Sequence, residues 1–169
     1  ERSAVFLALP RFPQFGRLWK KHGISNLLSG KRLICMKTKL KGAWVTHVGN
    51  KKPSNEDSVF FGKANVFGRS MKEPETVELD GADWLLGVAD GVGGHNGGEP
   101  ASRLCVEAMV GLKEVLPQTV DSMLKSLNRE IFDKSETEET LKGMGTTVAG
   151  VGFGGGALFA FNVGDSRVY

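Results

Sequence analysis

Cysteine is scarce in this sequence: the 169 residues contain only Cys35 and Cys105, with no CxxC spacing and no histidine at a metal-ligand distance along the chain. This scarcity excludes a disulfide framework and argues against a zinc site. Long apolar runs are also missing, because no stretch approaches the roughly 18 residues that a membrane-spanning helix needs. We therefore expect a protein of the reducing cytoplasm without a membrane partner.

Acidic residues are nearly absent from the first 35 positions, which hold seven basic residues and only Glu1 on the acidic side. The overall charge of +3 is therefore a property of this segment, and the remaining residues are net acidic. A nucleic-acid partner inferred from the overall charge would be misplaced. The segment has some features of a transit peptide, and Met36 is an alternative start. We assign residues 1–35 to a basic leader and 36–169 to the domain.

Apolar runs of strand length follow the leader. The stretches "AWVTHV" (43–48), "DSVFFG" (57–62) and "WLLGVAD" (84–90) predict three strands, and residues 63–78 read as a polar insertion. Apolar residues at helical spacing predict a first helix near Pro100 and a second helix capped by Thr119. "TTVAGVGF" and "ALFAFNV" around three glycines predict a hairpin, and "SRVY" starts another strand. This order predicts an α+β fold with antiparallel sheets.

Glycine is abundant, and five glycines occur in "VADGVGGHNGGEPAS" (88–102) directly after Asp90. Such a cluster allows main chain to approach a ligand closely. Glu56 with Asp57, Asp90 and Asp165 each lie at a strand end or turn. Carboxylates gathered without cysteines are hard oxygen ligands that suit Mg²⁺ or Mn²⁺, and the Gly91 carbonyl could reach the same ion.

Four segments carry a family resemblance: "KKPSNEDS", "VADGVGGHNGGEPAS", "GMGTTV" and "FNVGDSRVY". In this order and at these spacings they resemble the N-terminal motifs of the PPM (PP2C-type) metal-dependent protein serine/threonine phosphatases, in their bacterial style. The resemblance spans residues 41–169. It implies an antiparallel β-sandwich flanked by helices (α-β-β-α), incomplete at the C-terminus. It also implies hydrolysis of phosphoserine and phosphothreonine in proteins by a metal-activated water at a binuclear Mn²⁺ or Mg²⁺ centre.

The resemblance also implies a role for each acidic residue. Asp90 would bridge two metal ions, and the Gly91 carbonyl would bind one of them. Glu56 would contact a metal directly or through water, with Asp57 orienting that shell. Asp165 would help to hold a third, weaker metal ion. Expected partners are phosphoproteins and a cognate Ser/Thr kinase.

Two departures from the family pattern carry expectations of their own. Lys52 stands where the family usually has arginine, so the expected phosphate contact keeps the charge but loses the two-pronged grip, unless Lys51 helps. The family's downstream Asp-Gly and Asp-Asn motifs would lie beyond Tyr169, so we expect a fragment with little or no phosphatase activity. The alternative is a truncated, non-catalytic PPM-like module that binds or regulates partners.

Other features favour ordinary structural roles. His95 could act as a general acid, but a solvated loop residue is the preferred interpretation. "GVGFGG" (150–155) satisfies GxGxxG, yet it lies between two strands, which favours a hairpin over a dinucleotide site. Cys105 lies on the apolar stripe of the first helix and is expected to be a small buried hydrophobe.

Overall fold

The computed structural model describes residues 38–50, 52–93 and 97–169 of the chain, which form two antiparallel sheets and two helices. The strands are β1 (Thr38–Trp44), β2 (Asp57–Phe61), β3 (Ala64–Val66), β4 (Glu75–Gly81), β5 (Trp84–Val92), β6 (Gly145–Thr146), β7 (Val148–Gly154) and β8 (Ala157–Val163). The helices are α1 (Gly98–Val110) and α2 (Pro117–Thr137), and Glu139–Leu141 form a 3₁₀ turn.

The larger sheet has the strand order β3-β2-β5-β7-β8, with β6 paired to the end of β5, and the smaller sheet pairs β1 with β4. All of these pairings are antiparallel. The predicted α+β class with antiparallel sheets is therefore confirmed. The strand that delivers Asp90, β5, lies in the centre of the larger sheet, which fixes its end firmly.

Strands β2, β5 and β7 of the larger sheet are buried on both faces, because their side chains alternate between two cores. Phe60 and Leu85 pack with α1 and α2 on one face, whereas Val59, Phe61 and Leu86 pack against the β1–β4 sheet on the other. These strands read as continuous apolar runs for this reason. Among the described residues the layers are therefore helices, larger sheet and smaller sheet.

The two helices begin slightly earlier than the sequence predicts. Helix α1 begins at Gly98 and α2 at Pro117. Proline suits the first turn of a helix because its missing N–H has no intrahelical partner there. Thr119 is not the cap itself; its hydroxyl accepts a hydrogen bond of 3.0 Å from the Leu116 N–H at the cap position. Among the described residues, neither α1 nor α2 combines the length with the apolar composition of a membrane-spanning helix.

Three strand predictions need correction. β1 ends at Trp44, so only the first part of "AWVTHV" is strand, and the chain then turns so that the Thr46 carbonyl accepts from the Met71 N–H at 2.8 Å. The supposed polar insertion contains β3 and the start of β4. Residues 166–169 ("SRVY") are not in a strand.

The predicted hairpin between β7 and β8 is confirmed. Its two central residues, Gly155 and Gly156, both have positive φ, 58° and 80°. Two such residues form the type of tight turn whose twist matches antiparallel strands, and glycine adopts them without a steric penalty. Gly150–Gly154 belong to β7 itself, so the GxGxxG pattern does not introduce a helix and the dinucleotide interpretation fails.

Candidate functional site

Strands β2 and β5 bring two of the predicted site residues together. Asp57 and Asp90 are direct partners in the antiparallel register. Side chains at directly opposite positions lie on the same face of a sheet, with Cβ atoms about 5 Å apart. Asp57 is buried, with 8% of its surface exposed, and Asp90 is half-buried. The sheet therefore places two carboxylates side by side at one end.

Glu56 joins this pair through the main chain. It directly precedes β2, and its carbonyl accepts a hydrogen bond of 3.1 Å from the Gly91 N–H, directly after Asp90. Glu56 and Gly91, each expected from the family resemblance to contact a metal ion, are thus held together by backbone geometry. Glu56 therefore lies beside Asp90 at this end of the sheet.

The N-terminus of α1 completes a small cradle of oxygen atoms. A Cβ placed on Gly98 would lie 3.0 Å from both the Glu56 Oε1 and the Gly91 carbonyl oxygen. These two oxygens are therefore no farther apart than twice that distance. A Cβ on Gly91 would lie only 2.0 Å from the Gly98 carbonyl oxygen. Glycine at position 91 is required by this close approach of main chain, whereas a side chain at position 98 would chiefly displace the Glu56 carboxylate.

A buried serine pair fixes the main chain of Glu56. The Ser102 Oγ lies 2.6 Å from the Glu56 carbonyl oxygen and 3.1 Å from the Glu99 carbonyl oxygen. It also lies 2.9 Å from the Ser58 Oγ, and both serine side chains are 0% exposed. Sequence reasoning missed both residues, although a serine on the apolar stripe of α1 was a usable signal.

Two threonines of the "GMGTTV" segment hold the main chain of Asp90. The Asp90 N–H donates to the Thr147 Oγ1 at 3.1 Å, and the Asp90 carbonyl accepts from the Thr147 N–H at 2.9 Å and the Thr146 Oγ1 at 3.1 Å. Thr147 Oγ1 also lies 2.6 Å from Ser166 Oγ, next to Asp165. The segment of Asp165 is thus tied to Asp90 through hydroxyl groups.

Lys52 provides a positive charge at the site. Its Nζ lies 2.5 Å from the Glu56 Oε2. The pKa of Lys52 is raised, mainly by this hydrogen bond to Glu56, with electrostatic contributions from Glu56, Asp90 and Asp57. The ammonium therefore lies within electrostatic reach of three carboxylates.

The oxygen donors suit a hard divalent cation. Glu56 and Asp90 supply carboxylates, Gly91 supplies a carbonyl, and Mg²⁺ commonly keeps several waters beside a few protein ligands. Because Gly98 has no side chain, the Glu56 Oε1 and the Gly91 carbonyl oxygen can lie close to each other beside it. However, the residues at 38–50, 52–93 and 97–169 contain no group of three or more His, Cys, Asp or Glu side chains arranged to hold a metal ion. The metal roles of Glu56, Asp90, Gly91 and Asp165 remain predictions.

Some predictions fall outside the residues that the structure describes. These are the leader with Cys35, the auxiliary Lys51 and the loop residue His95. Cys105 lies within the described part and is 0% exposed, as expected for a core residue. Burial raises the pKa of its thiol to about 12, so the side chain is an inert hydrophobe at neutral pH.

A family model described as Protein phosphatase 2C matches residues 73–169, more than half of the chain. The matched part includes Asp90, Gly91 and Asp165. It begins after Lys52, Glu56 and Asp57, so the structure rather than the family match connects those residues to the site.

The chain is similar to bacterial serine/threonine phosphatases. It is 39% identical over 90 residues to the serine/threonine protein phosphatase PstP of Mycobacterium tuberculosis, covering 50% of this chain and 18% of the relative. The crystal structure of the M. tuberculosis phosphatase PstP/Ppp aligns with a TM-score of 0.55 and 31% identity, over 76% of this chain and 48% of that one.

The serine/threonine phosphatase Stp1 of Staphylococcus aureus has the same fold, with a TM-score of 0.58 and 20% identity over 83% of this chain and 52% of that one. The chain thus spans about half of the solved phosphatase structures that it matches, and less of the curated PstP sequence.

Proposed function

Because this chain belongs to the protein phosphatase 2C family, we propose that the protein is a metal-dependent protein serine/threonine phosphatase. The observation that carries the proposal is the convergence of Glu56, Asp90 and the Gly91 main chain at one end of strands β2 and β5. The net reaction breaks the P–O bond to the serine or threonine oxygen, and water supplies the new oxygen on phosphorus. Bound Mn²⁺ or Mg²⁺ ions would neutralise the phosphoryl oxygens and lower the pKa of the attacking water.

The residues of the chain would divide this work according to their positions. Glu56, Asp90 and the Gly91 carbonyl would hold two divalent ions, and Asp165 would assist at a third, weaker site. Asp57, buried opposite Asp90, would keep the neighbouring carboxylates in place. The hydrogen bonds from Thr146, Thr147 and Ser102 make this frame rigid, so little reorganisation is needed when substrate binds.

Lys52 is the proposed contact for the phosphoryl group. Its side chain is 56% exposed beside the carboxylates, so an approaching phosphate can reach it. An ammonium is a point charge without the planar fork of arginine, which makes this contact less directional. The substrates would be phosphoserine and phosphothreonine proteins, including those modified by an opposing Ser/Thr kinase.

The test compares Asp90→Asn with the matched control Asp121→Asn, whose carboxylate forms an exposed ion pair with Lys125 on α2. We expect Asp90→Asn to lose at least about tenfold in Mn²⁺ affinity, since even residues behind a metal ligand contribute that much. Binding is measured by titration calorimetry, and Mn²⁺-dependent release of phosphate from a phosphothreonine peptide is measured on the natural protein.

Unchanged Mn²⁺ binding and turnover in Asp90→Asn would refute the assignment. Mn²⁺ binding that depends on Asp90, combined with no turnover by the natural protein, would instead favour the non-catalytic binding module.

A further inference from the structure

The Lys52–Glu56 ion pair differs from the other close pairs at the same spacing. Arg103–Glu107 and Lys125–Asp121 lie on helices, where residues four apart are neighbours in any case. Lys52 and Glu56 lie instead in the loop before β2, outside any helix. The loop therefore has to fold back to bring the ammonium within 2.5 Å of the carboxylate.

The carboxylate in this pair is also more enclosed. The Glu56 side chain is 16% exposed, compared with 61% for Asp121 and 47% for Glu107. The Glu56 Oε2 contacts the lysine, while the cradle at Gly98 receives Oε1 beside the Gly91 carbonyl. Lys52 thus lies on the carboxylate that the proposed function assigns to a divalent ion.

We propose that Lys52 is an internal counter-ion of the site, whose ammonium holds the Glu56 carboxylate until a divalent cation displaces it. The inference rests on the proposed function, because it takes Glu56 as a ligand. Two cations cannot both approach Glu56 closely without repelling each other, so binding of the divalent ion and release of the lysine are coupled. Lys52 then lowers metal affinity in the free protein and becomes available to phosphate once the metal is bound.

The first test is the affinity for Mn²⁺, measured by titration calorimetry without phosphate. Partly exposed ion pairs are worth up to about 1 kcal/mol, so Lys52→Met should tighten Mn²⁺ binding about two- to fivefold. Lys52→Arg keeps the charge and the pairing, and should bind Mn²⁺ no more tightly than the unmodified chain. Lys125→Met, which removes an exposed ammonium paired with Asp121, should leave the affinity unchanged.

The second test detects the displaced ammonium directly. Acetic anhydride labels amines according to their exposure and free-base fraction, and mass spectrometry reports each lysine separately. Addition of Mg²⁺ should increase the labelling of Lys52, because the amine is then no longer held against the Glu56 carboxylate. Labelling of Lys125 should not change.

Weaker or unchanged Mn²⁺ binding in Lys52→Met, while Asp90→Asn still loses binding, would overturn the counter-ion role alone. Tighter Mn²⁺ binding by Lys52→Met, with no change in the labelling of Lys52 in the unmodified chain, would also overturn the counter-ion role. The ammonium would then weaken metal binding by electrostatic repulsion without being displaced from Glu56. If neither the unmodified chain nor Lys52→Met binds Mn²⁺, the metal site itself fails, and the proposed function fails with it.

Discussion

Replacement of Ser102 by alanine is expected to destabilise the fold and to remove a hydrogen bond that holds the Glu56 main chain. The Ser102 Oγ contacts the Glu56 carbonyl at 2.6 Å and the Ser58 Oγ at 2.9 Å inside a fully buried environment. The lost hydrogen bond to Glu56 should cost about 1 kcal/mol. The Ser58 hydroxyl is then left buried without its partner, which adds roughly another 1 to 2 kcal/mol. We expect the free energy of unfolding to fall by about 2 to 3 kcal/mol in total.

Ser58→Ala is the matched control for this change. It removes the same buried hydroxyl pair, but Ser102 can still donate to the Glu56 carbonyl. We therefore expect a loss of about 1 kcal/mol, less than for Ser102→Ala. The double variant should cost less than the two single losses together, because no hydroxyl remains stranded. Urea unfolding followed by circular dichroism measures all three values.

Mn²⁺ affinity distinguishes a positioning role of Ser102 from simple packing. Ser102→Ala should weaken Mn²⁺ binding, because the Glu56 carbonyl loses the bond from Ser102 and keeps the one from Gly91, whereas Ser58→Ala should bind nearly as the unmodified chain does. Equal stability losses for the two single variants, or strict additivity in the double variant, would contradict the hydrogen-bond geometry. Equal Mn²⁺ affinities would reduce Ser102 to a core residue.

Two further predictions concern Gly98 and Cys105. Gly98→Ala should keep the fold but weaken Mn²⁺ binding in calorimetry, because the new Cβ would lie 2.7 Å from the Glu56 Cδ, which can move. Gly91→Ala should instead destabilise the fold, because its Cβ would lie 2.0 Å from the Gly98 carbonyl oxygen. Equal thermal stability of these two variants would contradict the close approaches described at Gly91 and Gly98. The pKa of Cys105 is raised to about 12 in the folded chain from an ordinary 9.0, so the unfolded state ionises first and stability should fall as the pH rises from 9 towards 12. Urea titrations at pH 8 and 10 should show a smaller fall in Cys105→Ala, and an identical fall would show that the thiol does not contribute.

Sequence patterns predicted the strands that consist of consecutive apolar residues. β2, the central strand β5 and the β7–β8 hairpin are apolar runs bounded by turn residues, and both faces of the first two are buried. β4 was missed because its exposed side chains are polar, including Glu78 and Asp80. Only Val77 and Leu79 pack on the core, so its pattern was weak, and pairing with β1 decides its conformation.

The sequence allowed us to predict the charged side chains of the candidate site, but not the main-chain hydrogen bonds that hold them. Glu56 and Asp90 were chosen from their charge and their positions near strand ends. The bond between the Gly91 N–H and the Glu56 carbonyl depends instead on the pairing of β2 with β5, which no local pattern encodes. Ser102 supports this bond from α1, across 46 positions of sequence, so its role follows only from tertiary structure.

The arrangement of charges at this sheet end favours binding over stability. Asp57 and Asp90 face each other on neighbouring strands, where like charges destabilise a sheet. Glu56 adds a third carboxylate, and the single positive charge of Lys52 cannot neutralise all three. Apolar or neutral residues at these positions would relieve the repulsion. Because the fold holds the carboxylates close through buried hydroxyl and main-chain bonds, the excess negative charge supports the proposed site for a divalent cation.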